Sequence, residues 1–318
     1  MRAASQSILI VLITFVLHGS LQAQPAVAVP NGPNAFRVQV SGRGHPMLLI
    51  PGLSSSGDTW KTTVARYQDR FTCHVLTLAG FAGVPPIPAP LLSTVRDELA
   101  AYIREHHLIK PVIVGHSLGG TLALDLAARY PEIVGPLVIV DSLPFLGGAT
   151  FQVKTVEEAK ANIAAMHAYM SNQTRAQYDN YIRSGAATKY MVTSAADLEI
   201  ITQWGLASDP RTVSDAMAEL YSTDLRHDIA KIAVPALVLG TWIGLHDQIK
   251  AYGNDIPRAA FVQTFEQQFA ELPRRHFAVA ETSRHFIMFD DPQWFFAELD
   301  AFLTDPEKVA SDRGPKSK

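Results

Sequence analysis

The chain has 318 residues and a formal net charge of −3, and 47% of its residues are apolar. This composition is that of an ordinary globular protein and supplies enough apolar residues for a sizeable core. The sequence has no run of lysine and arginine interleaved with aromatic residues, which argues against a nucleic acid as partner. We therefore expect a small-molecule partner, while the oligomeric state stays open.

The first residues, MRAASQSILIVLITFVLHGSLQAQ, have the pattern of a secretory signal peptide, with an apolar run from Ile8 to Leu17. A bilayer crossing needs about 20 apolar residues, so this run is too short for a membrane anchor. We predict that residues 1–23 are the signal peptide, with cleavage after Ala23 and with Ala26 or Ala28 as alternatives. The mature chain would then be periplasmic or extracellular, with no stable membrane span. N-terminal sequencing of exported protein that still found the initiating methionine would contradict this.

After the leader, short apolar runs alternate with segments of helical period, a pattern that predicts a parallel sheet with helices on both faces. Several runs are almost wholly apolar, as strands that are buried on both faces must be. In chain order the strand candidates are FRVQV, PMLLIPG, HVLTLAG, PVIVGHS, PLVIVDS, PALVLGT and HFAVAET. The predicted fold class is thus α/β, with a doubly wound and mostly parallel sheet.

The loop after the second strand candidate has the sequence LLIPGLSSSGDTW. Pro51 and Gly52 come directly after the buried run, which is a more specific arrangement than a flexible polar loop. The glycine turn leaves the backbone N–H of Leu53 free to donate to an anionic oxygen. We predict Leu53 as one donor of an oxyanion hole.

Cys73 is the only cysteine of the chain and lies in the third strand candidate. An intramolecular disulfide is therefore excluded, and the core must supply the stability of the fold. We predict a buried thiol without catalytic function.

The stretch VIVGHSLGG places Ser117 between two glycines, after a buried strand candidate and before the helical run LGGTLALDLAARY. The Gly-x-Ser-x-Gly pattern alone is weak, because it arises by chance in roughly one chain in ten of this length. A strand, a tight turn and a helix are, however, the setting of a nucleophile elbow. We predict that the turn leaves no room for side chains at Gly115 and Gly119, that Ser117 is the nucleophile, and that the N–H of Leu118 is the second oxyanion donor.

A serine hydroxyl is a weak nucleophile at neutral pH and needs a general base within hydrogen-bond reach. Of the eleven histidines His285 is the best placed, because ETSRHFIMFDDP puts it between the last strand candidate and the last helix. A loop there can lean over the sheet towards Ser117, so we predict His285 as the base. The alternative is an ordinary surface histidine. Adjacent side chains diverge, and we therefore expect His116 to pack and not to act as base.

The alternation of strands and helices is interrupted before the run PALVLGT, where segments such as TVEEAKANIAAMHAYM are almost entirely helical. An insertion of this length is too long for a loop, so we predict that residues 145–228 form a helical cap over the sheet. Residues 35–144 and 229–305 would form the core domain. The polar tail, residues 306–318, is predicted to be disordered.

The cap should form one wall of a substrate cavity, and it supplies apolar and aromatic candidates without a run of cations. Taken singly each candidate is more readily explained as core, but together they favour an uncharged, partly apolar acyl or alcohol group. The candidates from the cap are Met166, Tyr169, Met170, Tyr190 and Trp204, and those from the sheet side are Phe81 and Trp242.

The segments IPGLSSSGDTW, IVGHSLGG and SRHFIMFDDPQWFFAELDAFL, in this order and spacing, resemble the α/β-hydrolase family with a helical cap. The resemblance covers residues 35 to 305. It implies an α/β-hydrolase fold, Ser117 as nucleophile and His285 as base. It also implies Leu53 and Leu118 as the donors of the oxyanion hole.

The chain departs from the family pattern at two positions. Pro51 stands where many members carry a histidine before the glycine, which leaves the backbone donor intact. The loop after PALVLG usually has an aspartate three residues beyond its glycine, but Ile243 stands there in this chain. The family scaffold accepts the triad acid after either of two strands, so the candidates are Asp141 and Asp247. We favour Asp141, because it lies at the carboxyl end of a strand beside the nucleophile strand, and keep Asp247 as the alternative.

The favoured reaction is hydrolysis of a carboxylic ester: Ser117 attacks, an acyl-enzyme forms, and water activated by His285 releases the acid. No cofactor is implied. No metal is implied either, because the sequence has no Cys/His cluster and the adjacent His106 and His107 do not form a HExxH pair. The same residues would also serve an amidase, a C–C bond hydrolase or an acyltransferase, or would persist in an inactive hydrolase-like binding module.

Overall fold

The computed structural model describes residues 35–186, 188–251 and 255–311. Seven strands form one sheet in the order β1-β3-β2-β4-β5-β6-β7, in which only the β1–β3 pair is antiparallel among the described residues. The strands are Phe36–Gly42 (β1), His45–Ile50 (β2), Phe71–Leu78 (β3), Val112–His116 (β4), Leu137–Val140 (β5), Ala236–Thr241 (β6) and Arg275–Ala280 (β7). Each strand candidate of the sequence overlaps one of them, so the predicted mostly parallel sheet is confirmed.

Helices cover the sheet and fill the connections between its strands. They are Lys61–Tyr67 (α1), Leu91–Glu105 (α2), Leu118–Arg129 (α3), Leu146–Phe151 (α4), Val156–Ser171 (α5), Arg175–Arg183 (α6), Ala195–Ala207 (α7), Pro210–Ser222 (α8), Ile243–Ala251 (α9), Arg258–Gln268 (α10), Ile287–Asp290 (α11), Pro292–Thr304 (α12) and Pro306–Ser311 (α13).

The two faces of the sheet belong to two separate hydrophobic cores. Along β2, Leu48 and Ile50 pack into the larger core, whereas Met47 and Leu49 pack into the smaller one. Successive side chains of a strand point to opposite faces, so this division shows that helices cover both sides. The sheet is therefore doubly wound, as the apolar strand sequences predict.

Five helices of the described chain, α4 to α8, lie between β5 and β6, within the stretch predicted as a cap. Side-chain N-caps explain where four of them begin, because each cap satisfies a backbone N–H that has no acceptor inside its helix. Thr155, Ser194 and Asp209 accept from backbone N–H groups three residues later, and Thr174 forms a capping box with Gln177. The division into core and cap domains itself stays a prediction.

The predicted disorder of the tail is wrong for its first part. Residues Pro306–Ser311 form helix α13, which packs beside β6, β7 and α12. The physical reason is burial: Ala310 is buried and Val309 packs against the smaller core, so this segment removes apolar surface from water despite its polar composition. The remainder of the tail, 312–318, lies outside the described residues.

The predicted signal peptide, residues 1–23, also lies outside the described residues and stays a prediction. Within the described part of the chain, no helix has the length and apolar character that crossing a membrane requires. The side chain of Cys73 is completely buried in β3, as predicted.

Candidate active site

Ser117 occupies a tight turn between β4 and α3, at the carboxyl edge of the sheet. Its backbone has φ 53° and ψ −123°, an uncommon conformation for a residue with a side chain, and its N–H donates to the carbonyl of Val140 at 2.9 Å. A side chain at Gly115 would overlap the backbone of Gly119, and one at Gly119 would overlap the carbonyl of Ile50. The predicted absence of room at both glycines is confirmed, and the turn has the shape of a nucleophile elbow.

Asp141 and His285 are joined by a hydrogen bond at the same edge of the sheet. His285 Nδ1 donates to Asp141 Oδ2 at 2.6 Å, and the two side chains are 25% and 12% exposed. Asp141 directly follows β5, and its second oxygen, Oδ1, accepts from the backbone N–H of Thr241 at 3.1 Å. The carboxylate is thus held on two sides, and it fixes which ring nitrogen of His285 is left to face the cavity.

His116 lies beneath the loop that carries His285 and supports its backbone. It is completely buried, and its Nε2 donates to the carbonyl oxygen of His285 at 3.0 Å. Burial, together with the charge of His285 when protonated, holds the pKa of His116 well below its usual value. His116 is therefore neutral, and it packs under the loop as the sequence analysis expects.

The two predicted oxyanion donors belong to the residue after Ser117 and to the turn that packs close to Ser117. The N–H of Leu118 is at the first position of α3, where a helix provides no intrahelical acceptor. Leu53 lies in the turn after β2, and the turn approaches so closely that a side chain on Gly52 would come within 3.1 Å of the Ser117 Cβ. No hydrogen bond among the described residues uses the N–H of Leu53 or Leu118. Their role in catalysis stays a prediction.

Asp247, the alternative acid, has a different partner. It lies in α9, where its Oδ2 accepts from Arg284 Nη2 at 3.0 Å and its Oδ1 lies 3.5 Å from His246 Nδ1. Of the two candidate acids, Asp141 is the one hydrogen-bonded to His285 in the described structure. Asp141 thus makes the hydrogen bond to the histidine that the acid of a catalytic triad must make. The catalytic role of Asp141 stays a prediction.

A cavity of about 360 Å³ opens beside Ser117, Asp141 and His285. The rest of its lining is apolar or polar and uncharged, and it contains no lysine or arginine among the described residues. The other lining residues are Thr121, Ser142, Leu143, Leu146, Ala186, Tyr190, Met191, Leu220, Tyr221, Thr241, Gly244, Leu245, Gln248, Phe261 and Phe265.

Of the seven wall residues predicted from the sequence, Tyr190 alone lines this cavity in the described structure. The other six assignments are wrong, and for three of them the described structure gives the physical reason. Phe81 and Trp204 pack into the cores, whereas Tyr169 points to solvent and is 67% exposed. Aromatic side chains of an amphipathic segment serve packing more often than ligand contact, and sequence spacing does not separate the two uses.

Two residues around the site were missed by the sequence analysis. Thr241 ends β6, where its N–H holds Asp141 and its hydroxyl donates to the carbonyl of Ser283. Its position at the carboxyl end of a strand candidate is a signal from which Thr241 could have been predicted as a residue of the site. Arg284, beside His285, bonds to groups far away in the chain, and no local pattern marks it.

A comparison with known protein families identifies the family to which the chain belongs. The model of the family described as "Alpha/beta hydrolase family" matches residues 47–298. The chain belongs to the alpha/beta hydrolase family. This alpha/beta hydrolase is accordingly an enzyme of the hydrolase class.

Curated relatives of the alpha/beta hydrolase share moderate identity with it. The pimeloyl-[acyl-carrier protein] methyl ester esterase of Vibrio cholerae is 28% identical over 207 residues, which cover 63% of this chain and 76% of that protein. The 2-(acetamidomethylene)succinate hydrolase of Mesorhizobium japonicum is 26% identical over 148 residues, which cover 45% of this chain and 53% of that protein.

Solved structures show the same fold at low sequence identity. An esterase from Thermogutta terrifontis superposes with a TM-score of 0.67 at 20% identity, and the match covers 86% of this chain and 94% of that one. A hydrolase from Pseudomonas aeruginosa PA01 superposes with a TM-score of 0.64 at 15% identity and covers 89% and 99%. These structural similarities show the fold alone.

Proposed function

We propose that this hydrolase cleaves carboxylic esters with Ser117 as nucleophile and through an acyl-enzyme. The observation that carries the proposal is the 2.6 Å hydrogen bond between His285 Nδ1 and Asp141 Oδ2 at the edge of the cavity that Ser117 also lines. A serine in an elbow, a histidine and a buried carboxylate are the three groups that acyl transfer by a serine requires.

In the proposed reaction Ser117 Oγ attacks the ester carbonyl carbon while His285 Nε2 accepts the hydroxyl proton. Asp141 holds the histidine in the required tautomer and stabilises the imidazolium that forms. The N–H groups of Leu53 and Leu118 donate to the oxyanion. The imidazolium then protonates the departing alkoxide, and water, deprotonated by His285, attacks the acyl-enzyme to release the acid and regenerate the serine.

The proposed substrate is small, uncharged and partly apolar. The described cavity lining supplies no cation that could pair with a substrate carboxylate, while residues such as Leu146, Leu220 and Phe261 offer apolar surface. An ester is favoured by the relative from Vibrio cholerae, whose name is that of a methyl ester esterase. A neutral ester should therefore be hydrolysed in preference to an otherwise matched ester that carries a carboxylate on its acyl chain.

The test is covalent labelling combined with turnover. Wild-type protein should react with a fluorophosphonate probe and hydrolyse p-nitrophenyl esters of short neutral acids, and Ser117→Ala should lose both properties because the attacking oxygen is gone. Ser41→Ala is the matched control and should keep both properties, because Ser41 lies in the edge strand β1, three positions from β4 in the strand order.

Three outcomes would count against the proposal. Full esterase activity in folded Ser117→Ala protein would remove the serine mechanism. Turnover of aryl amides, with esters untouched, would replace the ester by an amide, a group that is part of the substrate named for the relative from Mesorhizobium japonicum. Absence of both labelling and turnover in the wild type would favour an inactive binding module.

A further inference from the structure

Arg284 precedes His285 and ties the histidine loop to two other parts of the chain. Its Nη1 donates to the carbonyls of Lys189 and Val192 at 2.9 and 3.0 Å, and its Nη2 donates to Asp247 Oδ2 at 3.0 Å. The side chain is 25% exposed, so these bonds are partly shielded from water. One guanidinium thus joins the histidine loop, the segment 188–193 and helix α9.

Backbone bonds on both sides of His285 reinforce the junction with the segment 188–193. The N–H of Arg284 donates to Asp290 Oδ2 at 2.8 Å, while Asp290 Oδ1 accepts from the N–H of Thr193 at 2.8 Å. The N–H of Phe286 donates to the carbonyl of Met191 at 3.1 Å. The segment 188–193 is therefore held by backbone and side-chain donors alike.

The elements that Arg284 joins also form walls of the cavity. Tyr190 and Met191 come from the segment 188–193, and Leu245 and Gln248 come from α9. The two elements touch at Gly244, where an added Cβ would lie 2.7 Å from the carbonyl oxygen of Tyr190. A displacement of either element would alter the shape of the cavity on that side.

We infer that Arg284 is a positioning residue for the substrate cavity: it holds the walls formed by 188–193 and α9 against the histidine loop. This inference rests on the proposed ester hydrolysis. Arg284 acts on the walls and not on the reacting groups, because other bonds hold His285. Asp141, itself held by the N–H of Thr241, bonds to the His285 ring, and His116 bonds to the His285 carbonyl. A planar fork of donors suits three separate acceptors, whereas a lysine ammonium would reach fewer of them.

The kinetic test uses Arg284→Met and Arg284→Lys. For p-nitrophenyl butyrate, Arg284→Met should raise KM about tenfold with kcat lowered less than about threefold, because substrate binding weakens while the reacting groups stay in place. Arg284→Lys should lie between wild type and Arg284→Met. Arg104→Met is the control, since Arg104 pairs with Glu132 at 2.9 Å on the surface and does not line the cavity; it should leave both constants unchanged.

Hydrogen–deuterium exchange is the second measurement and does not depend on activity. In Arg284→Met, exchange should speed up in 188–193 and α9 and stay unchanged in α2. An unchanged KM in folded Arg284→Met, or a lowered kcat with unchanged KM, would overturn the inference, as would unchanged exchange in both elements. A wild type without esterase activity would instead refute the proposed function, while the exchange experiment would still test the junction.

Discussion

Asp141 and Asp247 follow neighbouring strands, but different structures support their backbones. Asp141 comes directly after β5, and its N–H donates to the carbonyl of Leu239 in β6 at 2.7 Å. Asp247 lies one turn into α9, where its carboxylate accepts from Arg284. A catalytic group needs a rigid support, and the sheet provides it for Asp141.

We expect Asp141→Asn to lower kcat by about three to four orders of magnitude with little change in KM, because the amide cannot stabilise the imidazolium of His285. Asp247→Asn should stay close to wild type in kcat, since its oxygen can still accept from Arg284. Steady-state kinetics on folded, purified variants is the measurement. A large loss of kcat in Asp247→Asn with an active Asp141→Asn would reverse the assignment.

The sequence limits the candidates for the triad acid to two residues, Asp141 and Asp247. It contains no geometric information that would decide between them. Both follow apolar strand candidates, and the choice depends on the path of the chain after Thr241, which local pattern does not reveal. The partners of Arg284 were equally hidden, because two of them are backbone carbonyls more than 90 positions away in the chain. Every residue has a backbone carbonyl, so the residue type at a position does not reveal that its carbonyl accepts a hydrogen bond.

At the scale of elements, the turn between β4 and α3 was predictable because its requirements are local. Gly115 must accommodate the backbone of Gly119 and Gly120, and a buried strand precedes a helix in the sequence itself. Where the backbone leaves no room for a side chain, the position requires glycine. The motif and its setting were therefore sufficient to predict the turn.

Gly115→Ala should destabilise the fold by about 3 kcal/mol or more, because the new methyl group would overlap backbone atoms that cannot move aside. Gly83→Ala is the control: its Cβ would meet nothing within 4 Å, and its φ of +84° alone should cost about 1 to 2 kcal/mol. Urea denaturation of both variants measures the difference. Equal losses would show that crowding at the elbow is not the cause.

Helix α9, between β6 and β7, could not be derived from the sequence. Leu245 of α9 is 45% exposed and lines the cavity, so its apolar side chain does not mark a face that packs on the core. The stripe of apolar residues that indicates a core-facing helix is therefore weak in α9. In contrast, Phe295, Leu299 and Phe302 of α12 form such a stripe, and the Asp291 side chain caps the start of that helix, so both signals can be read from the sequence.

Two buried histidines that stay neutral contribute to the pH dependence of the stability of the whole molecule. His74 is almost completely buried beside Tyr102, and burial, with a smaller contribution from His106, lowers its pKa to about 4. The pKa of His116 is lowered in the same direction. An unfolded chain takes up these protons near pH 6.5, so below that pH protonation favours the unfolded state.

We expect the free energy of unfolding to fall as the pH drops from 6.5 towards 4, with His74 alone accounting for roughly 2 kcal/mol by pH 5. His74→Asn should show a shallower decline over this range, whatever its stability at pH 7. His107→Asn, at an exposed position, should keep the slope of the wild type. Urea titrations at several pH values measure the slopes, and identical slopes in wild type and His74→Asn would contradict the prediction.

The completely buried thiol of Cys73 has a practical consequence for spectroscopy. Burial raises the pKa of this thiol to about 11, so at neutral pH it presents almost no thiolate to a maleimide or an iodoacetamide. Because the chain has no other cysteine, the folded wild type should react very little with thiol-directed labels. A cysteine introduced at the exposed Tyr169 of α5 would carry a fluorophore at a single known place, from which movements of the helices between β5 and β6 could be followed during turnover.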